Sequence, residues 1–262
     1  MDWLINSLQY LAISFLAILF FQTLIFFYIK SRRRFDIADV IWGPSILLGT
    51  VSAFIFISDF RIENIIAIIL LVVWALRLSF HIYQRFIRKD RMDERYIKLL
   101  SSKTKSIPGV YVKVFVVQSL LASLVSLAFL PVAYVHLNVW VLTAGSLVWI
   151  MGFIFESVAD KQLAVHIHTS HGIMKQGLWR YSRHPNYFGE VVQWWGFWTM
   201  SIGSWLSLPA LIGPITITYL IVFVSGIPML EKHMANKPGW SEYASKTPAL
   251  IPSLFFPTFK RR

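Results

Sequence analysis

The sequence contains no cysteine. That absence excludes a disulfide scaffold, a thiolate metal site and cysteine nucleophilic catalysis. Charge is scarce too. Only 15% of the 262 residues are charged, against 56% hydrophobic and 16% aromatic. A water-soluble protein with so little charged surface would expose large apolar patches and aggregate. The mean hydropathy of +0.59 points the same way. Acidic residues are the scarcer charge, 13 Asp+Glu against 25 Lys+Arg, for a net +12. Also missing are internal repeats, low-complexity tracts and any polar stretch long enough for an accessory soluble domain. The chain therefore reads as one all-α domain over 1–262, an integral polytopic membrane protein.

A membrane-crossing helix needs about 20 mostly apolar residues. Trp3 to Ile29 has no charge and closes on Lys30, Arg32, Arg33 and Arg34, which reads as an uncleaved span rather than a signal peptide. Val40 to Ser58 is the second span, and Asn64 to about Gln84, interrupted by Arg77, the third. Val114 to Phe155 is uncharged and too long for one crossing; Pro131, His136 and Asn138 are expected to mark the turn between a fourth and a fifth span. Val191 to Leu230 is divided by Gly203, Ser204 and Pro209 into a sixth and a seventh.

The loops then alternate in charge. Lys30–Arg34, Arg85–Lys105, Lys161–His184 and the segment after Glu231 hold nearly all the basic residues, whereas Asp59–Glu63, Pro131–Asn138 and Gly203–Pro209 hold only Arg61. Lys and Arg gather on the cytoplasmic side. This predicts seven spans, an outside N-terminus and a cytoplasmic C-terminus. It also accounts for the basic excess without nucleic acid, because the cations flank apolar spans rather than forming a stripe on a polar domain.

Polar groups inside a bilayer are costly, so their positions are informative. Asp39 stands at the start of the second span and Arg77 within the third, followed by His81. Asp39 facing Arg77 would line a polar cavity. Glu156 and Asp160, four residues apart, share a face at the predicted end of the fifth helix. They would form either an interfacial rim or acceptors for ligand hydroxyls and amides. The densest segment runs Gly177-Leu178-Trp179-Arg180-Tyr181-Ser182-Arg183-His184-Pro185-Asn186-Tyr187-Phe188-Gly189-Glu190. Pro185 suits the first turn of a sixth helix. Its free N–H groups, with Arg180, Arg183 and His184, predict an anion site. Tyr187, Glu190 and Trp194 then fall on one face directed into the bundle. The tail from Glu231 through Tyr243 to Pro252 is either a loose end or a cap over that site.

The Gly177–Gly196 segment, with Arg183-His184-Pro185-Asn186-Tyr187-Phe188-Gly189-Glu190, resembles the C-terminal signature of the steroid 5α-reductase superfamily, most closely its bacterial DUF1295 branch. Asp39, Arg77, Glu156 through Asp160, and the Glu242-Tyr243 to Leu250-Ile251-Pro252 tail recur in the same order. The resemblance implies a seven-helix reductase that binds NADPH in its C-terminal half, about 145–262, and reduces an enone or alkene in a steroid-like or other lipid entering from the bilayer. Carried over by position, Glu156, Asp160, Tyr181, Asn186 and Glu190 match cofactor-contacting residues. Arg180, Arg183, His184, Tyr187, Trp194, Glu231 and Tyr243 complete the expected cofactor set, and Asp39, Arg77 and His81 the catalytic set. No metal and no obligate protein partner are implied. Bacterial inner membrane is expected, or endoplasmic reticulum in a eukaryote.

The reductases place a carboxylate on the second helix and a tyrosine on the third, whereas here Trp74 stands at the tyrosine position. Trp has no acidic proton, so protonated Asp39, His81 or Tyr83 is left as the proton source. The Arg-His-Pro-x-Tyr-x-Gly run and the Tyr-plus-Ile-Pro tail are also similar to isoprenylcysteine carboxyl methyltransferases, which use S-adenosylmethionine. A non-enzymatic lipid binder or transporter is the third reading, although inverted repeats and broken midplane helices of the transporter kind are not visible.

Overall fold

The apolar runs become helices because in a bilayer every backbone N–H and C=O must be paired within its own segment. In the computed structural model, which describes residues 2–88, 91–94, 96, 97, 106–169 and 172–254, the described residues are all helix, turn or irregular chain, with no strand. The helices are α1 (Asp2–Ile29), a short α2 (Ile37–Val40), α3 (Trp42–Ile57), α4 (Ile62–Arg88), α5 (Ile107–Tyr134), α6 (Val139–Thr169), α7 (Pro185–Thr199), α8 (Ser207–Met234) and α9 (Trp240–Lys246). A tight turn, Gly177–Arg180, precedes α7. Helices α5 and α8 are composite. Each contains one wide turn, at Tyr111–Val116 and Leu220–Val224 respectively.

Helices α1, α4, α5, α6 and α8 are long and apolar enough to cross a membrane. Two more of the expected spans overlap α3 and α7, of 16 and 15 residues, the second beginning six residues before Val191. At 1.5 Å per residue these run only about 22–24 Å, short of a hydrocarbon core of about 30 Å. Two expectations about boundaries are corrected. Pro131 does not mark the turn after α5. It sits at the start of the helix's last segment, Leu130–Tyr134, where a missing N–H costs nothing. Helix α6 continues to Thr169, so Glu156 and Asp160 lie well inside it rather than at its end.

The chain forms two compact units, Met1–Leu137 with Gly203–Gly213, and Asn138–Ile202 with Pro214–Arg262. In the first unit α1 packs on α3 and α5, and α3 on α4. The buried stripe of α1 is Tyr10, Ser14, Ile18, Gln22, Phe26 and Ile29. Its outer face carries Leu16, Phe20, Leu24 and Phe27. This inverts the pattern of a water-soluble helix, because polar side chains are inside and apolar ones outside. Ser45, Thr50, Asn64, Ser119, Ser123 and Ser126 are likewise fully buried. Lipid does not drive helices together by the hydrophobic effect, so association relies on close packing and such hydrogen-bonding groups. The protein is an integral membrane protein.

In the second unit α6 and α7 run antiparallel in backbone contact. Glycines seven residues apart permit it, Gly145 and Gly152 on α6, Gly189 and Gly196 on α7. A Cβ at Gly152 would lie 2.7 Å from the Gly189 carbonyl oxygen, and one at Gly196 would lie 2.7 Å from the Trp149 nitrogen. A period of seven keeps the small residues on one seam.

Candidate functional site

The close approach of α6 and α7 brings together polar side chains that would otherwise be costly in a bilayer. Asn186 Nδ2 donates to Asp160 Oδ1 at 3.1 Å, and Gln193 Nε2 donates to Glu156 Oε2 at 2.6 Å. Glu156, Glu190 and Gln193 are buried, and Asn186 and Asp160 are half-buried. Each amide spends its N–H on a carboxylate. Its own oxygen, Asn186 Oδ1 or Gln193 Oε1, is buried with no donor among the described residues. A buried acceptor left unmet costs about 1–3 kcal/mol. The cluster therefore suits a ligand presenting hydrogen-bond donors, such as a carboxamide N–H, ribose hydroxyls or an ammonium.

Helix α7 begins at Pro185, as its sequence predicts. The tail is a cap, not a loose end. Arg183 N–H donates to the Pro248 carbonyl at 2.9 Å and His184 N–H to that of Ala249 at 3.1 Å, while Ser253 N–H donates to Tyr181 at 2.9 Å. The Tyr243 hydroxyl, whose pKa burial pushes up so that it stays protonated, donates to the carbonyls of Trp179 and Ser182. Trp179 Nε1 in turn donates to the Ala159 carbonyl at 3.0 Å, fastening the turn to α6.

This arrangement changes the anion site expected at the start of α7. Arg183 Nε and Nη2 both reach Glu231 Oε1 at 2.7 Å, and Nη1 donates to the carbonyls of Ala244 at 2.7 Å and Thr247 at 2.6 Å. The guanidinium closes the tail, and its charge is met by the Glu231 carboxylate. His184 stacks on Tyr187, ring centroids 5.7 Å apart, with Nε2 3.3 Å from Glu231 Oε1. Arg180 alone of the three is exposed, its guanidinium 5.9 Å from the Tyr181 ring centroid. Trp194 is fully buried and Tyr187 half-buried on α7.

Burial pushes the His184 imidazole below its ordinary value, against the pull of Glu231 and with the help of Arg183. An imidazole depressed in this way binds its proton more readily in the unfolded chain. Stability is then full above about pH 6.5 and is lost as pH falls through that value. The melting temperature is expected to drop between about pH 7.5 and about pH 5.5, and His184→Asn is expected to flatten that dependence. A wild-type melting temperature unchanged over the interval would contradict the assignment.

In the first unit, the Tyr96 hydroxyl donates to Asp39 Oδ1 at 2.6 Å and accepts from Gln118 Nε2 at 3.1 Å. Gln118 Oε1 is buried and has no donor among the described residues. Tyr96 thus supplies a phenol beside the Asp39 carboxylate, the group that Trp74, fully buried on α4, lacks. Arg77 is half-buried on α4, and His81 and Tyr83 are exposed on it. Three of these residues escaped the sequence reading. Gln118 and Gln193 carried a usable signal, an amide within an apolar run. Tyr96 carried none, standing among charged loop residues.

An all-α integral membrane protein, with an acceptor-rich cluster held between two glycine-docked helices, is the class that fold and site define. Residues 25–247 match the family model DUF1295, described as a protein of unknown function, and the chain belongs to that family. Neither the curated proteins nor the solved structures give a match.

Proposed function

We propose that the protein is a membrane-embedded, NADPH-dependent reductase of a carbon–carbon double bond in a steroid-like or other lipid, a relative of the steroid 5α-reductases. In this reading the chain crosses a bacterial inner membrane seven times, with its N-terminus outside. The observation that carries the proposal is the pair of buried oxygens Asn186 Oδ1 and Gln193 Oε1, without a donor among the described residues, beside Glu156, Asp160 and Glu190. Such a set of acceptors fits the carboxamide and ribose end of NADPH. The phosphate end is left to exposed cations such as Arg180, because Arg183 is engaged by Glu231.

NADPH, when bound, supplies a hydride. What the chain itself offers is binding, orientation, exclusion of water and a proton. Reduction of a conjugated double bond leaves negative charge on the substrate oxygen, which a positioned hydroxyl stabilises and protonates. Within the first unit the Tyr96 hydroxyl gives its proton to Asp39 Oδ1 and accepts from Gln118 Nε2, so it holds that carboxylate in place.

The methyltransferase reading shares part of this support, because an acceptor cluster also suits the ammonium of S-adenosylmethionine. Glu190 directly after Gly189, with Trp194 and Trp195 following, resembles the reductases more than the methyltransferases and favours the first reading. The test is thermal. A ligand at about 100 times its Kd stabilises by about 2.7 kcal/mol. NADPH is expected to raise the melting temperature of the detergent-purified chain and S-adenosylmethionine to leave it unchanged. Stabilisation by S-adenosylmethionine alone would transfer the assignment to methyl transfer. No response to either would leave a lipid binder or transporter.

A further inference from the structure

The first unit carries a charged surface that the reductase reading does not use. Its centre is Asp36, 6% exposed. Arg34 grips it in two places, Nε to Oδ1 at 3.0 Å and Nη2 to Oδ2 at 3.2 Å, and the Asp93 N–H donates to Oδ2 at 3.3 Å. Arg34 Nη2 also donates to the Phe86 carbonyl at 3.0 Å, with the guanidinium 4.0 Å from that ring's centroid. This knot draws together the loop after α1, the end of α4 and residues 91–93. It also consumes the carboxylate of Asp36. Around it stand Lys30, Arg32, Arg33, Arg85, Arg88 and Arg91, all exposed. None of these six pairs with a carboxylate among the described residues.

We propose that these cations form a docking surface for the headgroups of anionic phospholipids. Charge complementarity gives the sign of the partner, and position gives its kind. The cations begin where the uncharged run of α1 ends at Ile29. Beside them lie exposed apolar side chains, Phe27 and Tyr28 on α1, Phe80 and Ile87 on α4. Lys30 and Arg32 sit over the Phe27 and Tyr28 rings, at 4.7 and 5.5 Å from the centroids. A surface that is cationic at one level and apolar at the next matches a molecule with an anionic head and hydrocarbon tails. A small soluble anion would have no use for the apolar part. Lys and Arg held at headgroup depth are the residues that anionic leaflets attract.

The experiment uses native mass spectrometry of the full detergent-purified chain, titrated with phosphatidylglycerol and with phosphatidylcholine of the same acyl chains. Soluble glycerol phosphate is a third arm. Each cation near an anionic surface contributes about fivefold, so phosphatidylglycerol is expected to bind at least about tenfold more tightly than phosphatidylcholine. The combined variant Arg32→Gln, Arg33→Gln, Arg88→Gln is expected to reduce that preference below about threefold. The control Lys175→Gln, Lys232→Gln, Lys237→Gln, exposed cations of the second unit, is expected to keep it. Equal binding of the two lipids would overturn the proposal, as would a preference that survives the first variant or is lost in the control. Competition by glycerol phosphate at the same concentration would show a site for free anions rather than lipid. None of these outcomes depends on NADPH or on turnover.

Discussion

Gly152→Leu is expected to prevent α6 and α7 from docking and to leave little monodisperse protein in detergent. A Cβ at this position would already lie 2.7 Å from the Gly189 carbonyl oxygen and 2.8 Å from the Gln193 nitrogen, before any further leucine atom is added. Both neighbours are backbone, so no rotamer change can make room. Overpacking a core ordinarily costs about 1–3 kcal/mol, and a backbone obstacle places this case at or above the top of that range. Moving the helices apart would also break the Asn186–Asp160 and Gln193–Glu156 hydrogen bonds that the contact makes possible. Leu147→Ala, on the exposed side of the same helix, is expected to change stability by no more than about 0.5 kcal/mol. The comparison is read from size-exclusion profiles and melting temperatures. A wild-type melting temperature for Gly152→Leu would mean that the two backbones are not in contact.

Arg183→Ala is expected to lower stability by about 2–4 kcal/mol, measured without any nucleotide present. The loss has two parts. Glu231, 28% exposed at its side chain, would keep a carboxylate without its main partner, and the Ala244 and Thr247 carbonyls would lose their donor. Partial exposure of Glu231 keeps the figure below that of a fully buried pair. Arg183→Lys retains the charge but presents one ammonium in place of a planar fork, and is expected to recover less than half of the loss. An arginine that merely anchored a cofactor phosphate would behave differently. Its removal would weaken binding and leave the melting temperature of the cofactor-free protein unchanged.

Much of the architecture follows from the apolar runs. The uncharged stretch from Trp3 to Ile29 becomes α1, and Pro185 opens α7 at the residue its chemistry predicts. Charge asymmetry indicates where the bilayer ends but not where a helix ends. Lys161, His166 and His168 read as loop, yet α6 carries them to Thr169, since Lys, Gln, Leu and Ala propagate a helix as readily in water as in lipid. The glycine period of seven was present in the sequence and would have identified the α6–α7 seam. The engagement of Arg183 was not legible. Two of its three partners are backbone carbonyls more than sixty residues away, and carbonyls belong to every residue. The same holds for the pairing of 181–184 with 248–253, which follows no periodicity. Glu156 and Glu190 are legible as carboxylates at the edges of apolar runs, and Asp160 by its spacing of four from Glu156, whereas Asn186, in the polar stretch Arg180–Asn186, is singled out only by the resemblance.

In the proposed reductase the amide oxygens between α6 and α7 receive the donor groups of NADPH. Equilibrium binding of NADPH, followed by energy transfer from tryptophan to the dihydronicotinamide, tests it most directly when wild type and Asn186→Ala are titrated side by side. Saturable binding to the wild type is expected, with affinity weaker by about tenfold or more in the variant, the loss of about 1.4 kcal/mol or more that follows when hydrogen bonds to a buried acceptor are removed. Equal affinity in the two proteins, or no saturable binding to either, would contradict it.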